Sequence, residues 1–394
     1  MAETTTCPNC GTPGFRTFHR ASGVPTNSCI LLETREEALE YPRGDIDLCY
    51  CPTCHFIGNA AFDEKLTEYS GRYEETQGFS GTFQRFHREM SDELQTRFEL
   101  RGKDVLEIGC GKGEFLLMLC EDGETRGVGF DPAYRPDRHA PEPGQNVEFV
   151  RDFYSEKYSD VKADFVCCKM TLEHIQPTAQ FVGTVRRAVG ERDADIFFMI
   201  PETLRILEDC AFEDVYYEHV SYFTPPSLHH LFREQGFTVL ELGNEYDGQY
   251  LTISATTRSN GAEPAPAPDA SALPGLVEGF ESAFERKVGF WRDRLAALRA
   301  DGKRAVIWGS GSKGVSFLTT LGLGTDDVYG AIDINPHRHG YYMPTTGHRI
   351  YGPADLPGID PDCVIVMNAI YRDEIAADME KHGVSAEILT LEDA

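Results

Sequence analysis

The chain has 394 residues, a formal net charge of −27 at pH 7 and 41% hydrophobic side chains. This length suits two or three hydrophobic cores, and the acidic charge disfavours nucleic acid and anionic lipid, which are bound through Lys and Arg. No apolar run approaches the ~20 residues that cross a bilayer, and the polar stretch from Met1 to Cys10 lacks a hydrophobic signal segment. We therefore expect a cytoplasmic globular protein with no membrane or nucleic-acid partner.

The acidic residues are spread along the chain, and arginine is more frequent than lysine. One interpretation is a solvated acidic surface without a special role. The other is adaptation to a high-salt cytoplasm, where screening weakens the repulsion among like charges. The sequence leaves both interpretations open.

Four stretches of the chain differ in composition and periodicity. Residues 1–78 contain cysteine pairs and many turn-forming residues, and residues 79–258 alternate strand-like with helix-like segments. Residues 259–274 alternate proline with alanine, a composition that favours an extended linker. Residues 275–394 form a second alternating segment. We therefore predict a small N-terminal domain followed by two α/β domains that a linker separates.

The N-terminal stretch contains two CxxC pairs, Cys7 with Cys10 and Cys51 with Cys54. Each pair can aim two thiolates at one ion, and two pairs complete the tetrahedral four-cysteine shell of a zinc site. A closed shell leaves no position for a reacting water, so we expect this metal to stabilise the fold. Cys49 is a substitute ligand by its spacing, and unrelated buried thiols or a redox CxxC are the alternatives.

The second stretch opens with an apolar strand at 104–108 that runs into a glycine-rich loop. Glycines let a loop approach a ligand closely, and an acid at the tip of the next strand can accept both ribose hydroxyls of an adenosine. Strands at 147–150, 163–168 and 194–200 follow, and two further strands at 237–242 and 250–255 are predicted to pair as a hairpin. The candidate cofactor-binding residues are Glu107, Gly109, Gly111, Gly113, Asp131 and Asp152.

This order of elements predicts a doubly wound α/β sheet. The Glu-x-Gly-x-Gly-x-Gly loop and the Leu172-Glu-His174 stretch after the fourth strand resemble the class I methyltransferases. The resemblance implies S-adenosylmethionine as cofactor. Nicotinamide enzymes use a similar glycine loop and are the alternative.

Polar aromatic and charged side chains cluster at residues 215–224, after the fifth strand. One interpretation is an aromatic cap over the cofactor, with His219 satisfied by Glu218 or by a backbone carbonyl. The other is proton transfer, which several polar aromatics beside a cofactor pocket favour.

The chain resembles the sugar-nucleotide C-methyltransferases of deoxysugar biosynthesis over nearly its whole length. The likeness lies in the two CxxC pairs, His174, Tyr216-x-Glu218-His219, Ser221-Tyr-Phe223, Trp308-Gly-Ser-Gly-Ser-Lys-Gly314, Asp333-Ile-Asn-Pro336 and Asp373-Glu-Ile375. The resemblance implies a zinc-binding N-terminal domain, a class I methyltransferase domain and a C-terminal Rossmann-like domain.

The same resemblance implies carbon methylation of a keto sugar attached to a nucleoside diphosphate. The motif histidine, here His219, is expected to remove the acidic proton next to the carbonyl, so that an enolate attacks the methyl group. Tyr216 and Glu218 fall on positions that orient this base and the sugar, and His174 falls on a further active-site histidine. Tyr73 aligns more loosely with an active-site tyrosine of the N-terminal domain.

The sequence departs from the family pattern around the expected pocket, which bears on the identity of the acceptor. The departures are Met199, Tyr217, Lys169-Met-Thr171 and Asp247-Gly-Gln249. An O- or N-methyltransferase acting on another small molecule is therefore the second hypothesis.

A second glycine loop lies near the C-terminus. A strand at 304–308 leads into Gly309-x-Gly311-x-x-Gly314, and Asp333 follows. Taken alone, this pattern is a dinucleotide-binding fingerprint, so a fused nicotinamide oxidoreductase is the third hypothesis. The family resemblance instead implies a domain that helps to hold the acceptor, with Lys313 near a pyrophosphate or simply solvated.

Overall fold

The structure, a computed structural model, describes residues 5–258 and 262–394. The start of the predicted linker, residues 259–261, lies outside the described residues. Across the described ranges the strands form three sheets, of five, seven and five strands. No helix within these ranges is both long and apolar enough to cross a membrane.

The N-terminal sheet is built on a long antiparallel hairpin. Its two main strands pair along most of their length, and a segment that contains one short helix connects them. The elements are β1 (Thr5–Thr6), β2 (Pro13–Pro25), α1 (Arg35–Leu39), β3 (Arg43–Tyr50) and β4 (Ile57–Asn59).

The middle segment forms a mostly parallel sheet with helices on both faces. Its helices are α2 (Gly81–Arg97), α3 (Glu114–Leu119), α4 (Thr178–Val189), α5 (Thr203–Glu208) and α6 (Pro225–Glu234). Its strands are β5 (Asp104–Ile108), β6 (Arg126–Phe130), β7 (Asn146–Val150), β8 (Phe165–Lys169), β9 (Asp195–Pro201), β10 (Ser221–Tyr222), β11 (Thr238–Glu245) and β12 (Tyr250–Thr256). The strand order β11-β12-β9-β8-β5-β6-β7, with β11 and β12 antiparallel, confirms the predicted doubly wound sheet that ends in a hairpin.

The central strands are apolar throughout because both faces of this sheet are covered. In β8, Phe165 and Cys167 pack in the core beneath α2 and α3, whereas Val166 and Cys168 pack in the core beneath α4 and α6. This double coverage leaves the carboxyl ends of the strands as the open edge where ligands bind in such sheets.

The C-terminal segment forms a second, smaller parallel sheet, which confirms the expected Rossmann-like fold. Its elements are α7 (Leu273–Ala300), β13 (Ala305–Trp308), α8 (Ser312–Leu321), β14 (Ala331–Ile332), β15 (Ile350–Tyr351), α9 (Leu356–Ile359), β16 (Cys363–Val366), α10 (Arg372–Lys381) and β17 (Glu387–Thr390). The strand order is β15-β14-β13-β16-β17, and all pairs are parallel. Helix α7 begins inside the predicted linker because its first turn accommodates Pro274.

The three sheets are joined by direct contacts between them. Strand β10 leaves the middle segment and pairs with β4 of the N-terminal sheet. Helix α7 packs against β2, where Nδ1 of His19 lies 2.8 Å from a carboxylate oxygen of Glu281. These contacts connect the N-terminal sheet to the middle segment through β10 and to the C-terminal segment through α7.

Candidate active site and metal centre

The two CxxC pairs meet in one cluster. The sulfur atoms of Cys7 and Cys54 are 3.7 Å apart, as are those of Cys10 and Cys51, and all four lie within 4.8 Å of one another. Sulfurs bound to one tetrahedral zinc at about 2.3 Å are about 3.8 Å apart, so the spacing fits this ion. The sulfur of Cys49 instead lies 3.3 Å from the hydroxyl of Thr17, outside the cluster.

Both cysteine turns have the same backbone pattern. The N–H of Gly11 donates to the carbonyl of Cys7 at 2.9 Å, and the N–H of His55 donates to that of Cys51 at 2.9 Å. Gly11 and His55 both have a positive φ, of 73° and 62°. Each turn therefore holds its two cysteines in the same local backbone geometry.

The first glycine loop can be formed only by residues without a side chain. Gly109, Gly111 and Gly113 all have a positive φ, and a Cβ at Gly109 would lie 1.9 Å from the hydroxyl oxygen of Thr171. Asp131, at the tip of β6, accepts hydrogen bonds from the backbone N–H groups of Gly111 at 2.9 Å and Ala133 at 2.7 Å. Burial raises the pKa of its carboxyl group. Asp131 thus ties the loop to the neighbouring strand.

The acid that precedes this loop has an unexpected partner. Glu107 is fully buried, and its Oε1 lies 2.8 Å from Nζ of Lys169. The same ammonium group lies 3.8 Å from the ring centroid of Phe115. The Lys169 departure from the family pattern therefore introduces a buried ion pair at the floor of the candidate cofactor pocket.

Asp152 lies just beyond β7, at the same edge of the sheet as Asp131. Its carboxylate accepts hydrogen bonds from Tyr158 at 2.5 Å and Lys157 at 3.0 Å. These bonds lower the pKa of Asp152. Since β6 and β7 are parallel neighbours, both acids follow strands that end at the edge where the sequence predicts the adenosine.

The predicted catalytic residues form one buried cluster beside this edge. The hydroxyl of Tyr216 is 2.7 Å from Nε2 of His219, and the rings of His174 and His219 are 4.9 Å apart. Nδ1 of His174 lies 2.9 Å from the backbone oxygen of Glu218 and 3.1 Å from the hydroxyl of Tyr69. Because a carbonyl oxygen only accepts, Nδ1 of His174 carries the hydrogen.

Burial keeps both imidazoles neutral. It lowers the pKa of His174 to about 4, and burial together with the neighbouring His174 lowers the pKa of His219 well below its usual range. A neutral imidazole at neutral pH is the form that can accept a proton.

Glu218 points away from the imidazole of His219. Its carboxylate accepts hydrogen bonds from the backbone and hydroxyl of Ser28, at 2.8 and 2.5 Å, and from the amide of Asn27 at 3.3 Å. Burial raises the pKa of this carboxyl group, and the nearby hydroxyl of Tyr73 acts in the opposite direction. The imidazole is thus contacted by Tyr216 and not by the Glu218 carboxylate, because the donors of the N-terminal loop satisfy this buried acid.

A cavity of about 240 Å³ separates this cluster from the C-terminal sheet. Tyr216 lies on its wall and reaches back to His219, which lies behind that wall. The cavity is lined by residues from all three segments, among them Glu75, Met170, Tyr216, Lys313, Arg338 and Tyr371.

The cavity wall is rich in charged groups. Nζ of Lys313 is 2.6 Å from the carboxylate of Asp214, which also pairs with Arg205. Burial would raise the pKa of Asp214, but these two cations outweigh it and lower the pKa to about 2. Two cations therefore flank one anion here, whereas the cavity wall as a whole also carries the acids Glu75, Asp333, Glu374 and Asp378.

The second glycine loop forms the far wall. A Cβ at Gly314 would lie 2.3 Å from the backbone oxygen of Gly309. Asp333 accepts hydrogen bonds from the backbone and hydroxyl of Ser310, at 2.9 and 2.5 Å, and from the backbone of Asn335 at 2.9 Å. The carboxylate of Asp333 therefore accepts hydrogen bonds from the second glycine loop, just as Asp131 accepts one from the first loop.

Sequence reasoning missed two members of the catalytic cluster, Tyr69 and Glu173. Tyr69 reaches His174, and the carboxylate of Glu173 lies within 4.8 Å of a ring nitrogen of both His174 and His219. The sequence signal for Glu173 is its position in the middle of the Leu-Glu-His stretch. The signal for Tyr69 is its position four residues before Tyr73.

Known proteins resemble the chain in two consecutive stretches. A family model described as "Methyltransferase domain" matches residues 83–242. A second one, described as "C-methyltransferase C-terminal domain", matches residues 275–386. The first stretch holds most of the seven-stranded sheet, and the second holds α7 and most of the parallel C-terminal sheet.

One similar protein is the C-methyltransferase NovU of Streptomyces niveus, which is 25% identical over 328 residues, or 79% of this chain and 77% of that protein. A ubiquinone biosynthesis O-methyltransferase of Escherichia coli O127:H6 is 33% identical over 105 residues, or 25% of this chain and 43% of that protein. The crystal structure of 1,6-didemethyltoxoflavin-N1-methyltransferase from Burkholderia thailandensis, with 1,6-didemethyltoxoflavin and S-adenosylhomocysteine bound, has a TM-score of 0.34 and 20% identity and covers 43% of this chain and 77% of that one.

The order of the matched domains agrees with the order of the sheets. A doubly wound sheet with a glycine loop after its first strand precedes a separate parallel sheet. The chain is therefore an S-adenosylmethionine-dependent methyltransferase that combines a class I methyltransferase domain with the C-terminal domain of the C-methyltransferases.

Proposed function

We propose that this enzyme methylates a carbon atom next to a carbonyl group in a nucleotide-linked keto sugar. The observation that carries the proposal is the pair of Tyr216 and His219, joined at 2.7 Å behind the wall of the cavity. Oxygen and nitrogen acceptors already carry a lone pair, whereas a carbon acceptor must first lose a proton to a base. A buried neutral imidazole is suited to that task.

The glycine loop and the two neighbouring acids are proposed to hold the cofactor. Gly109, Gly111 and Gly113 allow its close approach, Asp131 faces the ribose and Asp152 lies towards the adenine. Asp131 already bonds to the loop, so it both shapes the pocket and offers acceptors to it. When bound, S-adenosylmethionine supplies a methyl group activated by its positive sulfur.

The catalytic step begins with proton transfer from the acceptor. The C–H bond next to the carbonyl breaks, and its electron pair forms an enolate. Its proton is taken by the hydroxyl oxygen of Tyr216 at the cavity wall while that hydroxyl passes its own proton to Nε2 of His219. With the cofactor bound, the enolate carbon would form a bond to the methyl group as the sulfur–methyl bond breaks, leaving S-adenosylhomocysteine. Tyr216 holds the imidazole at the cavity wall, and Glu218 fixes the N-terminal loop through Ser28 and Asn27. The enzyme thus supplies the base and the alignment.

Two cations of the cavity wall are the candidate binding groups for an acceptor that carries phosphate. Lys313 lies in the second glycine loop, and Arg205 lies across Asp214 from it. A diphosphate could be held by these two cations, with the sugar directed towards Tyr216. The similarity to NovU, named a C-methyltransferase, supports the carbon acceptor.

The cysteine cluster is proposed to bind one structural zinc ion. Four thiolates at the observed spacing satisfy a tetrahedral ion completely. The cluster packs beside α6, where the amide of Asn9 donates to the backbone of Ser227 at 3.3 Å. The metal would therefore hold the N-terminal sheet against the methyltransferase domain.

A second candidate function is O-methylation of another small molecule. It is favoured by the 33% identity to an O-methyltransferase over 105 residues, a match that covers 43% of that relative. Such a reaction needs no acidic C–H bond in its acceptor.

The two candidates are separated by a screen of nucleotide-linked 4-keto sugars with labelled S-adenosylmethionine in deuterated water. The proposal expects transfer of the label to carbon and entry of deuterium next to the carbonyl without methyl donor. Methyl transfer to oxygen, with no exchange at carbon, would support the second candidate.

A further inference from the structure

Glu173 is a buried acid without a hydrogen-bond partner. Its side chain is 1% exposed, and neither carboxylate oxygen is bonded to any described group. A buried polar group in that state destabilises a fold, so its presence calls for a role other than packing.

The position of Glu173 is fixed relative to His219. The backbone N–H of Val220, the residue after His219, donates to the backbone oxygen of Glu173 at 2.9 Å. A carboxylate oxygen of Glu173 lies within 4.8 Å of a ring nitrogen of His219 and of His174. That separation exceeds a hydrogen bond, and a rotation of the flexible glutamate side chain can close it.

His219 has one nitrogen to offer to this acid. Its Nε2 bonds to Tyr216 at 2.7 Å, and its Nδ1 is buried without a partner. If Nε2 is to receive a proton from Tyr216, it must start without one, so Nδ1 carries the hydrogen. One buried cluster thus contains an unsatisfied donor on His219 and two unsatisfied acceptors on Glu173.

We propose that Glu173 is a positioning residue that takes the Nδ1 hydrogen bond of His219 and stabilises the imidazolium formed when His219 removes the acceptor proton through Tyr216. This inference rests on the proposed function, since it needs His219 as the base. The proton from carbon goes to the hydroxyl of Tyr216, whose own proton moves to Nε2, the electron pair stays on the enolate, and the Nδ1–H bond is directed to the Glu173 carboxylate.

The surroundings leave Glu173 as the acid available to this nitrogen. The Glu218 carboxylate is occupied by Ser28 and Asn27, and the Asp214 carboxylate by Lys313 and Arg205. The neighbouring His174 bonds through its Nδ1 to the backbone. Burial raises the pKa of Glu173 to about 8, so this carboxyl group ionises close to neutral pH.

The inference is tested with the full-length protein and three variants. Glu173→Gln keeps the shape but not the charge, Glu173→Leu removes both acceptors, and Glu202→Gln is the control at another buried acid, which caps α5. Nitrogen-15 spectra of the imidazoles, with His219 assigned through His219→Asn, need no acceptor. We expect His219 to be the Nδ1–H tautomer. The chemical shift of its Nδ1 proton should move upfield in Glu173→Gln and stay unchanged in Glu202→Gln.

The kinetic readout is deuterium exchange into a nucleoside-diphosphate 4-keto-6-deoxy sugar. We expect Glu173→Gln to slow exchange by about 10²-fold, at the lower end of the effect of losing a base, with the KM of the sugar unchanged. The wild-type rate should rise with pH up to about 8, and this rise should disappear in Glu173→Gln. A purely structural role would instead lower the melting temperature and leave the pH profile intact.

Failure of the proposed function and failure of the role of Glu173 give different experimental results. If His219→Asn exchanges at the wild-type rate, the proposed function fails with its base. If His219→Asn is inactive while Glu173→Gln keeps the wild-type spectrum and rate, only the role of Glu173 is overturned. A second zinc ion per chain that is lost in Glu173→Gln would also overturn it, because Glu173, His174 and His219 would then be metal ligands.

Discussion

At the scale of single residues, the site is defined by buried titratable groups that have few partners. His174 and His219 are kept neutral by burial, and Glu173 has no hydrogen-bond partner among the described residues. Each of these groups destabilises the fold. Their clustering at one sheet edge indicates selection for chemistry, since perturbed pKa values concentrate at functional sites.

Asp131 provides the first prediction at this scale. We expect Asp131→Ala to weaken binding of S-adenosylhomocysteine by about 1.5–3 kcal/mol, the range for a hydrogen bond to a charged group. The ribose loses its acceptor, and the loop loses the bonds to Gly111 and Ala133. Calorimetry measures the affinity, and Asp137→Ala on the exposed surface is the control. An unchanged affinity would move the cofactor away from this strand.

Glu173 provides a prediction about stability and pH. The pKa of this carboxyl is about 8 in the folded state and about 4.3 in an unfolded chain. The folded state therefore holds a proton that the unfolded state releases, and wild-type stability falls as pH rises from about 4.3 to 8.

The amide introduced by Glu173→Gln cannot ionise, so the stability of this variant does not fall in this way as the pH rises. We expect its melting temperature to equal that of the wild type near pH 4 and to exceed it increasingly up to pH 8. The upper limit is roughly 5 kcal/mol, at 1.36 kcal/mol per pKa unit. Equal pH dependence of the two proteins, measured by calorimetry, would show that Glu173 is ionised or solvated throughout.

The sequence allowed prediction of residues whose role follows from local spacing. The glycines of the first loop and the four cysteines are of this kind, because a turn fixes their relative positions. Tyr69, Glu173 and the pairing of Lys313 with Asp214 were not foreseen, since these contacts join residues distant in sequence. Likewise, periodicity could not show that Glu218 turns towards Ser28.

At the scale of elements, the two cysteine turns couple the N-terminal sheet to the rest. The turns lie at the ends of β2 and β3, and β10 extends the same sheet from the middle segment. The cysteine cluster and the β4–β10 pairing therefore connect the N-terminal sheet to the segment that carries His174 and His219.

We expect about one zinc ion per chain, as a closed four-thiolate site requires. Cys10→Ser should reduce the zinc content and the melting temperature, because an unfilled cluster leaves the two turns unconnected. Cys49→Ser, at the buried cysteine outside the cluster, is the matched control and should keep its zinc. Protein purified without chelator that contains no metal, with four free thiols, would contradict the proposed site.

The long apolar strands were predictable because their residues are buried on both faces. The predicted strand at 104–108 coincides with β5, and the C-terminal strand at 304–308 differs from β13 by one residue. The two-residue strand β10 was not predictable, since its partner β4 lies far away in sequence, in the N-terminal segment. The first turn of α7 was assigned to the linker because Leu-Pro-Gly resembles a turn in sequence.

At the scale of the whole molecule, the acceptor cavity exists only because three segments meet. Glu75 belongs to the N-terminal segment, Tyr216 to the middle one and Lys313 to the C-terminal one. The C-terminal segment thus forms one wall of the cavity, opposite Tyr216.

Lys313 tests the role of the C-terminal domain. We expect Lys313→Ala to weaken binding of uridine or thymidine diphosphate by about 1.5–3 kcal/mol and to leave S-adenosylhomocysteine affinity unchanged. The exposed Lys303→Ala is the control for the loss of one positive charge. Nucleotide affinity that is equal in the two variants would place the diphosphate elsewhere.

The central claim is that His219, through Tyr216, removes a proton from carbon. The most direct measurement is solvent deuterium entry next to the carbonyl of a nucleotide-linked 4-keto sugar, compared among the wild type, His219→Asn and the control His230→Asn. We predict a loss of about 10²–10⁴-fold in His219→Asn, with unchanged S-adenosylhomocysteine affinity and full exchange in His230→Asn. Exchange at the wild-type rate in His219→Asn would contradict the account.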